Sequence, residues 1–180
     1  MRHLNDFITE KFKINKDTVT YSCCPNTKEE LQEIIKERCR KAYKGDITDL
    51  NDIDVSQITD MSYLFHLIDP AKIAIDKWDV SKVKTMRGLF YWSWDLECDV
   101  SEWDVSNCED FIMAFCDCKK FNSDLSKWDM RKAQSTESMF AGCLNFNCDL
   151  SSWDLRNCKD MHKMLYGCNS LKKIPEWYKE

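Results

Sequence analysis

From residue 46 onward the hydrophobic positions recur with a period of 25 residues. Trp78, Trp103, Trp128 and Trp153 stand in register, each followed by an aspartate: Asp79, Asp104, Asp129 and Asp154. Ile53-Asp54 fills the same slot one period earlier, and no insertion or deletion breaks the register over five periods. A fixed period of roughly 20–50 residues marks a stacked array rather than a single wound domain. Two patterns share each period. The first is apolar at offsets 1, 4, 6 and 9, as in Leu150, Trp153, Leu155 and Cys158. Its alternation predicts a short strand with Trp and Val or Leu inward and the aspartate outward. The second is apolar at offsets 12, 15, 16 and 19, as in Met161, Met164, Leu165 and Cys168. That spacing predicts a helix of about two turns. Asp60, Thr85, Asp110, Ser135 and Asp160 precede these segments and read as N-caps, while Gly142 and Gly167 fall where a left-handed C-cap is wanted.

Residues 1–45 break the pattern. Residues 27–43 predict an amphipathic helix with a Thr27…Glu30 capping box. Residues 4–12 predict a shorter helix, and residues 17–24 a strand before Pro25. At the other end Leu171, Ile174, Pro175, Trp177 and Tyr178 fold over the last period. The expected fold is α/β: a leucine-rich-repeat-like, right-handed solenoid of about five 25-residue strand–helix coils. It divides into a mainly helical N-terminal cap (1–45), the array (46–170) and a C-terminal cap (171–180). No period buries its apolar face alone, so stacking makes the core.

Composition narrows the function. With 43% apolar and 12% aromatic residues the 180-residue chain fills a core, and its four glycines cannot supply phosphate-cradling loops. The net charge of −5 disfavours a nucleic-acid binder. That charge is polarised: residues 1–45 carry ten Lys and Arg against seven Asp and Glu, and residues 46–180 sixteen against twenty-four. The Trp-Asp pairs do not indicate a WD-type propeller, whose blades need about 40–45 residues and a Gly-His partner. No signal peptide or membrane-spanning segment is visible, so the expected location is cytoplasmic or virion-associated. The eleven cysteines lack paired C-x2-C spacings and fall in repeated slots, Cys118, Cys143 and Cys168 in one of them. They are expected to be free, packed thiols, with no metal site. His3, His66 and His162 lie in unrelated places, so neither catalysis nor a cofactor is expected.

The copies MRGLFYWSWDLECDVSEWDVSN, MAFCDCKKFNSDLSKWDM and MFAGCLNFNCDLSSWDLRN resemble the BspA-like bacterial surface-protein repeat family. That family is regarded as a leucine-rich-repeat variant found in bacterial surface proteins, mycoplasmas and bacteriophages of gut bacteria. The resemblance implies binding or adhesion and supplies no catalytic residues.

If the strands stack in register, the aspartates form a row along a concave face. Adjacent carboxylates there repel by roughly 0.8 kcal/mol in water at about 5 Å. Either each carboxylate accepts hydrogen bonds from the next coil, or the row is an acidic strip for a basic partner. The flanking outward slots vary between periods, with Lys127, Arg131 and Arg156 among them. The partner-binding candidates are therefore Asp79, Asp104, Asp129, Asp154, Lys127, Arg131 and Arg156, over a core ladder of Trp78, Trp103, Trp128 and Trp153. The function expected is a non-enzymatic protein–protein interaction module, monomeric unless built into a larger assembly. The alternative is a structural or adhesion component of a virion or bacterial surface assembly.

Overall fold

The computed structural model describes residues 21–42, 46–68 and 71–179. The helix expected at 4–12, and all but the last residues of the strand expected at 17–24, lie outside the described residues. Residues 21–24 run alongside the first period: Ser22 N–H donates to Asp52 O at 2.8 Å, and Asp54 N–H to Cys23 O at 2.9 Å. Helix α1 (Lys28–Lys41) follows. The Thr27 hydroxyl accepts from Glu30 N–H at 3.2 Å, and the Glu30 carboxylate reaches back to Asn26 N–H at 2.8 Å. Glu29 and Glu30 in the first turn and Arg38, Arg40 and Lys41 in the last complement the helix dipole. Leu31 and Ile35 join the core, while the Gln32 amide donates to Tyr63 O and Leu64 O, both at 3.2 Å. Lys28 pairs with Asp60 at 2.8 Å and Arg38 pairs with Asp52. α1 thus lies across the first period.

Beyond α1, regular secondary structure among the described residues is limited to β1 (Thr48–Asp49) and β2 (Ile73–Ala74), paired in parallel. Order comes instead from backbone bonds between successive periods. The short helices expected from the second pattern do not form; residues 62–68 and their equivalents are turns. The amides of Met61, Tyr63 and Phe65 donate to Thr85, Arg87 and Leu89 of the next period at 3.0, 2.8 and 3.0 Å. The amides between them close local turns, Leu64 on Met61 O and His66 on Tyr63 O. Thr136, Ser138, Phe140 and Gly142 repeat the ladder onto Asp160, His162, Met164 and Tyr166. An α-helix would spend those amides within its own segment, so the two schemes exclude each other. Each period also holds two left-handed residues. One slot holds Tyr63, Gly88, Met113, Ser138 and Lys163, with φ between 52° and 58°. The other holds Leu67, Trp92, Asp117, Gly142 and Gly167, with φ between 60° and 75°. A right-handed helix cannot pass through either.

Asp60, Thr85, Asp110, Ser135 and Asp160 form a column of parallel bridges. Their side chains cap turns rather than helices: Asp60, Asp110 and Asp160 accept the amide two residues on at 2.7, 3.0 and 2.9 Å.

In the first pattern the predicted alternation holds. Trp and Val, Leu or Met are buried on either side of each partly or fully exposed aspartate. No strand ladder joins these triplets, however. The indoles do: Trp78, Trp103, Trp128 and Trp153 donate Nε1–H to Leu50, Ile75, Val100 and Leu125 O at 2.9–3.0 Å. Trp177 extends the column onto Leu150 O at 3.2 Å. Each buried indole therefore stitches its period to the one before and leaves no orphaned donor. The Trp78–Trp103 and Trp128–Trp153 rings stack at 6.2 and 6.4 Å, and Phe65, Phe90, Phe115 and Phe140 follow one another at 4.7, 5.4 and 5.6 Å, the middle pair tilted. Burying each such side chain contributes about 1.5–3 kcal/mol.

No disulfide joins the cysteines, and several of them do more than fill space. Cys118, Cys143 and Cys168 donate S–H to Phe90, Phe115 and Phe140 O at 3.1, 2.9 and 3.1 Å. Cys148 takes the Leu125 amide at 3.2 Å, as Ser123 takes that of Val100 at 3.1 Å. Burial pushes these thiols up, Cys108 and Cys168 to about 12 and Cys148 to about 11.

Candidate functional site

The aspartate of each Trp-Asp pair points away from the core because its neighbours on both sides point in. Its carboxylate closes a local turn. Asp54, Asp79 and Asp104 accept the amides of Ser56, Ser81 and Ser106 at 3.0, 3.1 and 3.0 Å. Asp129 and Asp154 accept those of Arg131 and Arg156 at 3.1 and 3.3 Å. The bonds come from the aspartate's own period, two residues on, and not from the next coil.

Charge along the row changes where arginine replaces serine. Arg131 grips Asp129 with two parallel bonds, Nε to Oδ1 at 2.8 Å and Nη2 to Oδ2 at 2.5 Å. Arg156 holds Asp154 in the same way, at 2.9 Å for both. The guanidinium beside it holds the Asp129 carboxyl down to about 2, and Arg156 likewise lowers Asp154. Bidentate pairing is the strongest form such a contact takes. Asp54, Asp79 and Asp104 make no ion pair among the described residues. Among the described residues the row therefore begins as carboxylates bonded only to backbone amides and ends as two clamped Asp–Arg pairs.

Ties between periods fix the flanks. Lys127 reaches Glu102 at 2.5 Å and Lys132 reaches Asn107 at 2.6 Å. The Asn107 and Asn157 amides donate to Ser81 O and Arg131 O at 2.9 and 2.8 Å. A shallow depression between the third and fourth periods is lined by Ser106, Asp129, Arg131 and Lys132. The structure thus brings Asp129, Arg131, Asp154, Arg156 and Lys127 onto neighbouring periods of one face, with Asp79 and Asp104 farther along the same row. This face can form ion pairs and hydrogen bonds from fixed positions. The four tryptophans of the core ladder lie beneath it.

Sequence reasoning passed over the exposed rings of the second pattern, Tyr63, Trp92, Trp94 and Tyr166. Their signal was present: Trp92 and Trp94 fall outside the inward tryptophan slot. Among the described residues, no group of three or more His, Cys, Asp or Glu is placed to hold a metal ion, and no helix is long and apolar enough to cross a membrane.

The family model described as "Mycoplasma protein of unknown function, DUF285" matches residues 33–91 and 59–177 in two overlapping stretches that together span most of the chain. Comparison with curated proteins and with solved structures finds no match to either.

Proposed function

The chain belongs to this Mycoplasma family of unknown function, and from that premise we propose that it is a non-enzymatic protein–protein interaction module. In this reading the periods form a leucine-rich-repeat-like array of the BspA type. Its aspartate face grips another protein, and it works without a cofactor in the cytoplasm or in a virion. The observation that carries the reading is the pair of clamps, Asp129–Arg131 and Asp154–Arg156, set in one register on adjacent periods. Held guanidiniums present their remaining donors outward at little further entropic cost. A partner bringing carboxylates to those donors, and cations to Asp79 and Asp104, would match the row along its length. Such a surface sets orientation and association rate more than raw affinity, so binding weakens with salt.

The test begins with an affinity pull-down under reducing conditions. The double charge reversal Arg131→Glu with Arg156→Glu, shown to be folded by circular dichroism, should then lose binding at least tenfold, about 1.4 kcal/mol. Unchanged binding there, with loss on altering Lys36 and Arg40 of α1, would move the contact to the helix.

A further inference from the structure

On the turns of the second pattern, Tyr63, His66, Tyr91 and Trp92 form a continuous run of rings, with centroids 6.0, 5.8 and 5.2 Å apart. Trp92 and Trp94 are 55% and 53% exposed, and Leu67, one period before Trp92, is 87% exposed. Aromatic and aliphatic groups left this open in a cluster are the usual mark of a contact surface.

Backbone strain points the same way. Leu67 and Trp92 hold φ of 64° and 65°, in the slot that Gly142 and Gly167 fill in the last two periods. An L-residue there carries a steric cost that glycine does not. Residues so exposed gain little from burial to offset that cost. Left-handed backbone recurs in every period, but only here do exposed apolar side chains, rather than glycine or a polar residue, stand in this slot.

The Trp92 ring is also held in place. Its Nε1–H donates to Asp117 Oδ2 at 3.1 Å. Asp117 in turn lies over Gly142, where a β-carbon would collide with its carboxylate, just as Tyr63 lies over Gly88. His66 Nδ1 is buried within the cluster with no hydrogen-bond partner among the described residues.

Trp94 shows what such a ring accepts, for Lys119 Nζ sits 4.4 Å from its centroid. Trp92 is equally exposed, carries no cation among the described residues, and has the Asp117 carboxylate at its edge. An electron-rich face beside a carboxylate suits a cation. The excess of acid over base in residues 46–180, twenty-four against sixteen, draws cations toward the array from a distance. We propose that the Trp92–Asp117 patch binds an arginine- or lysine-bearing segment of a partner protein. The cationic group lies on the Trp92 indole and pairs with Asp117, and Leu67 and Tyr91 cover its aliphatic stem. This contact is separate from the aspartate row and does not depend on it.

The probe is a fluorescein-labelled octapeptide of alternating arginine and glycine, with citrulline replacing arginine in a neutral control. Both are titrated onto the full chain at physiological salt. Trp92→Leu leaves the charge unchanged and places in the slot a side chain that Leu67 already carries there. The arginine peptide should bind wild type at least about tenfold more tightly than the citrulline peptide, and Trp92→Leu should weaken it about fivefold. The Trp92 indole N–H resonance should move on titration. Equal binding of the two peptides, or wild-type affinity in Trp92→Leu, overturns the proposal. Loss of binding only in Asp79→Asn with Asp104→Asn assigns the peptide to the aspartate row and overturns it too. So does a neutral oligosaccharide that shifts the Trp92 resonance when the peptide does not. Because Arg131 and Arg156 are untouched throughout, these outcomes are independent of the test of the clamped face.

Discussion

Replacing Trp103 by alanine removes an indole that is 3% exposed from the middle of the tryptophan column. Its ring stacks on Trp78 at 6.2 Å, and its Nε1–H bonds Ile75 O at 3.0 Å. The neighbouring indoles are each tied to a carbonyl of another period, so the walls cannot close over the space. A cavity of that kind costs about 3–5 kcal/mol. That is a large share of the roughly 5–15 kcal/mol that holds an ordinary domain together. Trp103→Phe keeps a ring and loses the bond. Ile75 O still accepts Trp78 N–H at 3.1 Å, so no carbonyl is orphaned. The loss should shrink to about 1–2 kcal/mol. Asp104→Asn, one residue on, leaves an oxygen for the Ser106 amide and stays in water, so its effect should stay within about 0.5 kcal/mol. Urea unfolding of the three variants with reductant present gives the ranking directly. Losses of equal size in Trp103→Ala and Asp104→Asn would refute the division into an inward column and an outward row.

Two further outcomes are expected. Thiol titration after denaturation without reductant should return about eleven groups, while Cys108, Cys118 and Cys143 stay unreactive in the folded protein because burial raises them; a denatured count near one would reveal disulfides. Asp129, held to about 2 by Arg131, contributes stability above its unfolded value near 4, and loses that contribution as pH falls toward 2. Arg131→Gln should therefore move the Asp129 midpoint up toward about 4 by carboxyl NMR, and an unmoved midpoint would contradict the clamp.

Much of the architecture is legible one residue at a time. The indels that never occur set the period. The alternation around each Trp-Asp pair sets which side chains face in, since consecutive residues of extended chain point to opposite sides. Thr27 and Glu30 mark the start of α1 for a local reason: both act within a single turn. The aspartate row is readable on the same grounds, as the outward position between two inward ones. The second pattern misleads. Its apolar positions at i, i+3, i+4 and i+7 fit a helix, but a segment of about eight residues cannot separate that from a sequence of tight turns. Glycine would have betrayed the left-handed slots, yet Tyr63, Leu67, Trp92, Met113, Asp117, Ser138 and Lys163 occupy them.

Only stacking resolves that ambiguity. Once a neighbouring period offers carbonyls at two-residue spacing, alternate amides bond across to it, and no helix can use them. The same stacking decides where the protons of the Trp78, Trp103, Trp128 and Trp153 indoles and of the Cys118, Cys143 and Cys168 thiols go, because each acceptor lies 28 residues back along the chain. No local rule reaches that far. It also turns Trp92 and Leu67, 25 residues apart, into neighbours on one exposed patch. By contrast, Arg131 on Asp129 and Arg156 on Asp154 are contacts over two residues, within reach of sequence, but choosing them over a bond to the next period required the geometry of the turn. The sequence by itself determined the period, the inward column and the outward row. The tertiary structure decided where the ladder amides, the column indoles and the Cys118, Cys143 and Cys168 thiols bond, because those partners exist only when one period lies against the next.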